Sequence, residues 1–249
     1  MAGFLSTNYS KIADRYDKNP IRAKEVDPEI GKLMGSKDEI KILDLACGTG
    51  NYLRKQIEYY GNKGTTWIGL DNSEEMLAYA RKKNPAAVLI HGDASDSGIM
   101  VKDVDYIRNE YSFHHFTDKI KVIENIYRAL KKGSVFIMVN LCPEYMKSSW
   151  LYEYFPSAQI SDKAKFMSAA DIYNILTKYR FKVTIEIKIS LYKPDRDILI
   201  SQIENRDISN LNDLSEKEYQ AGLKNIKEDP LLNDKVFDFA EILDRKSVV

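Results

Sequence analysis

The chain is poor in cysteine and histidine and carries no net charge, and each scarcity removes a class of function. Two cysteines in 249 residues, Cys47 and Cys142, make no disulfide framework. A reducing compartment follows as the expectation, with cytoplasm as the default. The three histidines, His91, His114 and His115, have neither a carboxylate–histidine spacing nor a cysteine pair beside them, so no metal site is expected. Lys and Arg together number 37, as do Asp and Glu, so no global field draws in nucleic acid or anionic lipid. No run of about 18 apolar residues suits a membrane span, and no basic-then-apolar leader opens the chain. A Gly-x-Ser-x-Gly elbow and a P-loop lysine are also missing.

What is there is an alternation of strands and helices. The apolar fraction of 44% suits a sizeable core. Helical spacing of Tyr9, Ile12, Ala13 and Tyr16 predicts a helix over 8–18, and a second covers 28–34. Strands are expected at 40–45, 65–70, 87–91, 104–109 and 135–140, the last a near-continuous apolar run of the kind found in a central parallel strand. The helices between them include one opened by the capping box Asn72-x-x-Glu75 and one ending at Gly133. The stretch from Pro143 to Lys165 reads as aromatic-rich and irregular. A helix follows from Ser168-x-x-Asp171, then an alternating strand over 181–189. A polar helical insertion follows over 194–229, with Ser215-x-x-Glu218 as a further capping box. A last strand is expected over 236–243.

The most informative stretch is Ile42-Leu43-Asp44-Leu45-Ala46-Cys47-Gly48-Thr49-Gly50-Asn51. A buried strand running straight into a glycine turn and a helix is the ligand corner of a doubly wound α/β sheet. Glycine lets a ligand approach the backbone, and the helix N-terminus offers free N–H groups. A dinucleotide fingerprint would place a third glycine where Leu53 stands. Asp44 also suits an ammonium better than a phosphate. A ligand with an amino group and a ribose, but no phosphate, fits. Asp71 closes the second strand, 21 residues after Gly50, where a carboxylate can accept both ribose hydroxyls.

These residues resemble motif I of the class I S-adenosylmethionine-dependent methyltransferases, whose pattern is Asp/Glu-x-Gly-x-Gly-x-Gly. Ala46 stands where the first glycine is usual. Three further stretches resemble later motifs of that family: Gly69–Met76, His91-Gly92-Asp93-Ala94, and Val104–Asn109 with the trailing Glu110-Tyr111-Ser112-Phe113-His114-His115. The resemblance covers about residues 8–190. It implies a Rossmann-like, doubly wound, seven-stranded, mostly parallel sheet with an antiparallel edge strand, an N-terminal lid helix and inserted lid segments. It also implies S-adenosylmethionine as donor. Asp44, Ala46, Gly48 and Gly50 would seat the methionine half, Asp71 the ribose, and Asn72, Asp93 and Ala94 the adenine. Met76 belongs to the same set, although its apolar neighbours also suit the core. Asn109 would border the methionine portion, and Tyr16 and Arg22 of the lid helix would reach the donor.

Beyond the donor, the acceptor is expected near Glu110, Tyr111 and Phe113, with His114 as the candidate general base and His115 packed under the sheet. Tyr145, Trp150 and Tyr154 could wall a substrate pocket and exclude water. The organisation expected is one methyltransferase domain over 1–249. It divides into lid helices at 1–38, a donor-binding core at 39–142, and lid or substrate insertions at 143–167 and 190–230. The function expected is methyl transfer to a small-molecule acceptor by in-line displacement. Methylation of RNA or protein, or a non-catalytic donor-binding subunit, are the alternatives. The lack of an Asn-Pro-Pro-Tyr element after the fourth strand weighs against an amino-directed nucleic-acid enzyme. Oligomeric state is open between monomer and homodimer.

Overall fold

A computed structural model describes residues 24–98 and 101–248. Tyr16, Arg22 and the helix expected over 8–18 lie outside the described residues. Seven strands form one mixed sheet: β1 (Ile40–Leu45), β2 (Thr65–Asp71), β3 (Val88–His91), β4 (Val104–Glu110), β5 (Leu130–Leu141), β6 (Phe181–Tyr192) and β7 (Phe237–Val248). Their order is β3-β2-β1-β4-β5-β7-β6. The pairs β1–β2, β1–β4, β2–β3 and β4–β5 are parallel. The chain moves outward from β1 to β2 and β3, then returns to place β4 on β1's other side. The crevice beyond the carboxyl ends of β1 and β4 is therefore the topological switch point, where such sheets bind ligands.

Among the described residues the chain clusters into two compact units. One holds 24–98, 101–140, 170–186 and 243–248, and the other holds 141–169 and 187–242. The core of the first is built on Ile40, Ile42, Leu53, Trp67, Tyr106 and Ile137, all buried. Leu53 is the residue that breaks the dinucleotide fingerprint, and Gly69 of β2 explains how it fits. A Cβ on Gly69 would lie 2.9 Å from Leu53 Cδ1 and 2.8 Å from Cys47 Sγ. The small residue needed where helix meets strand is thus on the strand rather than on the helix.

Three local expectations are corrected. The helix Glu74–Lys83 is capped by Ser73, whose Oγ accepts from the Met76 N–H, and not by Asn72. The Asp71 carboxylate accepts from the Ser73 N–H at 2.9 Å and sets that register. The helix before β5 ends at Ala129, four residues before Gly133. Leu130 pairs with Val104, and Lys131 reaches the fully buried Asp105 at 2.8 Å, so the sheet claims residues that propensity leaves helical. Gly133 takes a left-handed φ of 77° within β5. The stretch expected to be irregular contains the helices Trp150–Tyr154 and Pro156–Lys165. Ser215 does cap its helix, accepting from the Glu218 N–H.

In the second unit, Phe155 is fully buried, stacked on Tyr219 and edge-on to Trp150. It lies against Gly222, where a Cβ would overlap its ring. Tyr152 donates to the Asp162 carboxylate at 2.8 Å, and burial pushes that acid up to about 6. Among the described residues no helix is long and apolar enough to cross a membrane.

Candidate functional site

β1 delivers Asp44 into the switch-point crevice, and the chain then turns through three left-handed residues: Ala46 (φ 61°), Gly48 (φ 54°) and Gly50 (φ 75°). Each side chain would be strained there, and Ala46 bears that strain. Gly50 starts the helix Asn51–Tyr60 and is held by Asn84, whose Nδ2 donates to its carbonyl at 3.0 Å. Gly48 is open: a Cβ there would meet no atom within 4 Å. Its N–H donates to the Asp71 carboxylate at 2.8 Å, tying the turn to the end of β2.

The half-open cleft over this turn is lined by Lys24, Asp44, Ala46, Cys47, Gly48, Thr49, Asn51, Tyr52 and Glu110. Asp44 is only 4% exposed, and among the described residues its Oδ2 has no hydrogen-bond partner. Burial, with Glu110 as a like charge beside it, pushes its carboxyl up to about 8 despite Lys24 and Arg108. Burial also pushes Asp71 upward, while the N–H groups of Ser73 and Gly48 pull it back. An unpartnered buried carboxylate oxygen is costly unless a donor or cation arrives to meet it. An ammonium supplies both, and a bare glycine backbone beside it leaves room for the body of the ligand.

Charges continue along β4. Glu110 pairs with Lys24 and accepts from Arg108 Nε at 2.7 Å. Burial alone would raise Glu110, but Arg108 and Lys24 outweigh it and hold the carboxyl below the usual carboxylate range. Arg108 also reaches Asp27 Oδ2 at 2.8 Å, which accepts in addition from the Tyr52 and Tyr106 hydroxyls. Asp27 caps the helix Pro28–Met34, and its N–H donates to Gln56 Oε1 at 2.8 Å. This network anchors the segment that carries Lys24. None of Lys24, Asp27, Tyr52, Tyr106 and Arg108 is given a site role in the sequence reading, although Tyr106 and Arg108 lie in its Val104–Asn109 stretch. The available signal is Arg108 itself, a cation in a strand whose neighbours are buried.

The other expected residues fall as follows. Asp93 is exposed and accepts from the Ser95 N–H at 2.7 Å, whereas Ala94 is buried. Asn72 is exposed. Met76 is 2% exposed and packs in the interior. Asn109 is fully buried and donates to the Leu45 carbonyl at 2.8 Å, bridging the ends of β1 and β4. Tyr111 takes a left-handed φ of 49°. The short helix Phe113–His115 buries Phe113 and sets the ring centres of His114 and His115 3.8 Å apart, tilted by 43°. His115 is half-buried rather than packed under the sheet, because a single 3-10 turn leaves both rings at its edge. His114 Nδ1 lies 3.3 Å from Asn140 Oδ1. In the second unit, Trp150 and Tyr154 are interior and Tyr145 is exposed. No group of three or more potential metal ligands occurs among the described residues.

A family model described as a methyltransferase domain matches residues 36–204. A demethylmenaquinone methyltransferase of Bacillus cereus is 30% identical over 139 residues, 52% of this chain and 58% of the relative. A malonyl-[acyl-carrier protein] O-methyltransferase of Hamiltonella defensa is 25% identical over 215 residues, 84% of this chain and 78% of the relative. Aligned segments span about half the length of several curated relatives. Among solved structures, the Haemonchus contortus phosphoethanolamine N-methyltransferase 2 in complex with S-adenosyl-L-methionine superposes with a TM-score of 0.58 at 19% identity, covering 99% of this chain and 59% of that one.

Proposed function

This chain belongs to the class I methyltransferase family, and from that premise we propose that it catalyses S-adenosylmethionine-dependent methyl transfer to a small-molecule acceptor by in-line displacement. The observation that carries the reading is the unpartnered Asp44 carboxylate oxygen beside the open backbone of Gly48, at the switch point of the sheet. When bound, the donor supplies a sulfonium methyl, whose carbon bonds to the acceptor as the carbon–sulfur electron pair returns to sulfur.

The work left to the protein is alignment and exclusion of water. In this reading Asp44 accepts from the donor's ammonium, and Ala46, Gly48 and Gly50 shape the seat of its methionine half. Asp71 spends one lone pair of each oxygen on a backbone N–H and keeps others for the ribose hydroxyls. Asn72, Asp93 and Ala94 take the adenine end. Asn109 fixes the spacing of β1 and β4 beneath the reacting centre. Glu110, Tyr111 and His114 face the acceptor, and His114, oriented by Asn140, takes a proton where the acceptor must lose one. A small acceptor is supported by the demethylmenaquinone and phosphoethanolamine names among the relatives and by the zero net charge.

The test is incubation of the pure protein with methyl-labelled donor and a mixed metabolite extract. Label in a low-mass product supports the reading. Label confined to an RNA or protein fraction reassigns the acceptor, and donor binding without turnover reduces the protein to a binding subunit.

A further inference from the structure

Lys24 and Glu110 both line the cleft and pair with each other there. They are not equally dependent on that pairing. Glu110 has a second cation, since Arg108 holds its other oxygen through Nε at 2.7 Å. Lys24 makes no second salt bridge among the described residues; it lies 5.5 Å from the centre of the Tyr111 ring and near enough to Asp44 to pull that carboxyl down. Arg108 stays fixed by Asp27 at 2.8 Å whether or not Lys24 is present. Removing Lys24 therefore leaves Glu110 neutralised.

Of the two groups Glu110 can give up its partner without becoming a lone buried charge, because Arg108 stays on it. A ligand with an amino-acid zwitterion brings the replacement anion for Lys24 and a cation for the unpartnered Asp44 oxygen.

Resting on the donor reading above, we propose that Lys24–Glu110 is an exchange pair: the donor's carboxylate takes Lys24 from Glu110 while its ammonium settles on Asp44. Lys24 is then the residue that selects ligands bearing a free carboxylate, and Glu110 is its internal competitor.

The experiment is a calorimetric titration of the full chain with S-adenosylhomocysteine and with its decarboxylated analogue. It uses the wild type, Lys24→Met, Lys24→Arg and Glu110→Gln. Loss of one partly desolvated charge contact predicts that Lys24→Met weakens S-adenosylhomocysteine about tenfold and the analogue less than about twofold. Lys24→Arg keeps most of the affinity for both ligands. Glu110→Gln removes the competitor and tightens S-adenosylhomocysteine about threefold relative to the analogue, since its effect through Asp44 falls on the ammonium that both ligands share. Equal weakening of both ligands by Lys24→Met, or a folded Glu110→Gln protein in which S-adenosylhomocysteine gains nothing relative to the analogue, overturns the exchange while the donor reading stands. A wild type that binds neither ligand overturns both.

Discussion

Replacing Asp44 by Asn tests the buried carboxyl without changing its volume. The folded chain keeps the Asp44 proton up to about pH 8, whereas an ordinary aspartate releases it near 3.8. Between those values the folded state holds one more proton than the unfolded state, so raising the pH favours unfolding. The loss begins above the lower value and is complete above the upper one. At about 1.4 kcal/mol per pH unit its ceiling is on the order of 5 kcal/mol. Asparagine cannot ionise, so Asp44→Asn escapes this loss, and its stability advantage over the wild type grows steadily with pH. Glu110 lies below the usual carboxylate range, so its stabilising contribution is lost only in acid, outside the window. The assay is urea unfolding of both proteins at several values between about pH 5 and 8, compared as free energies in water. A difference that stays flat across that range refutes the buried, proton-holding Asp44.

Other consequences follow from the same geometry. Ala46→Gly relieves a left-handed alanine and, after the cost of a looser unfolded chain, raises stability by about 0.5–1 kcal/mol in urea unfolding. Gly69→Ala forces a methyl against Leu53, Cys47 and Leu89 and destabilises by about 1–3 kcal/mol. Part of that loss returns when Leu53→Ala is added, which a double-mutant cycle measures. Arg108→Met strips the guanidinium from Asp27 and Glu110 and costs about 3–5 kcal/mol, read as a lower urea midpoint.

The strands were legible because burial on both faces leaves an apolar run that few other structures need. β1 and β5 show it plainly. The glycine turn was legible because backbone conformation is a local property, and Gly48 and Gly50 announce it. What sequence could not supply is what only contact creates. Leu53 is tolerated because Gly69, sixteen residues on, makes room for it. The helix before β5 stops at Ala129 because Val104 and Asp105 of a neighbouring strand capture the residues after it. Lys24 enters the cleft because Asp27, three residues later, is locked to Tyr52, Tyr106 and Arg108. Of the aromatic residues expected to wall a pocket, Trp150 and Tyr154 are buried in their own unit, whereas Tyr145 is exposed. Aromatic composition does not distinguish a wall from a core.

The central claim is donor binding at the ends of β1 and β2, and calorimetric titration with S-adenosylhomocysteine tests it most directly. The wild type is predicted to bind in the micromolar range. Asp71→Ala removes two charge-assisted hydrogen bonds, at about 1.5–3 kcal/mol each, and weakens binding by about a hundredfold or more. A wild type that gives no binding heat, or a folded Asp71→Ala protein that binds equally well, contradicts the account.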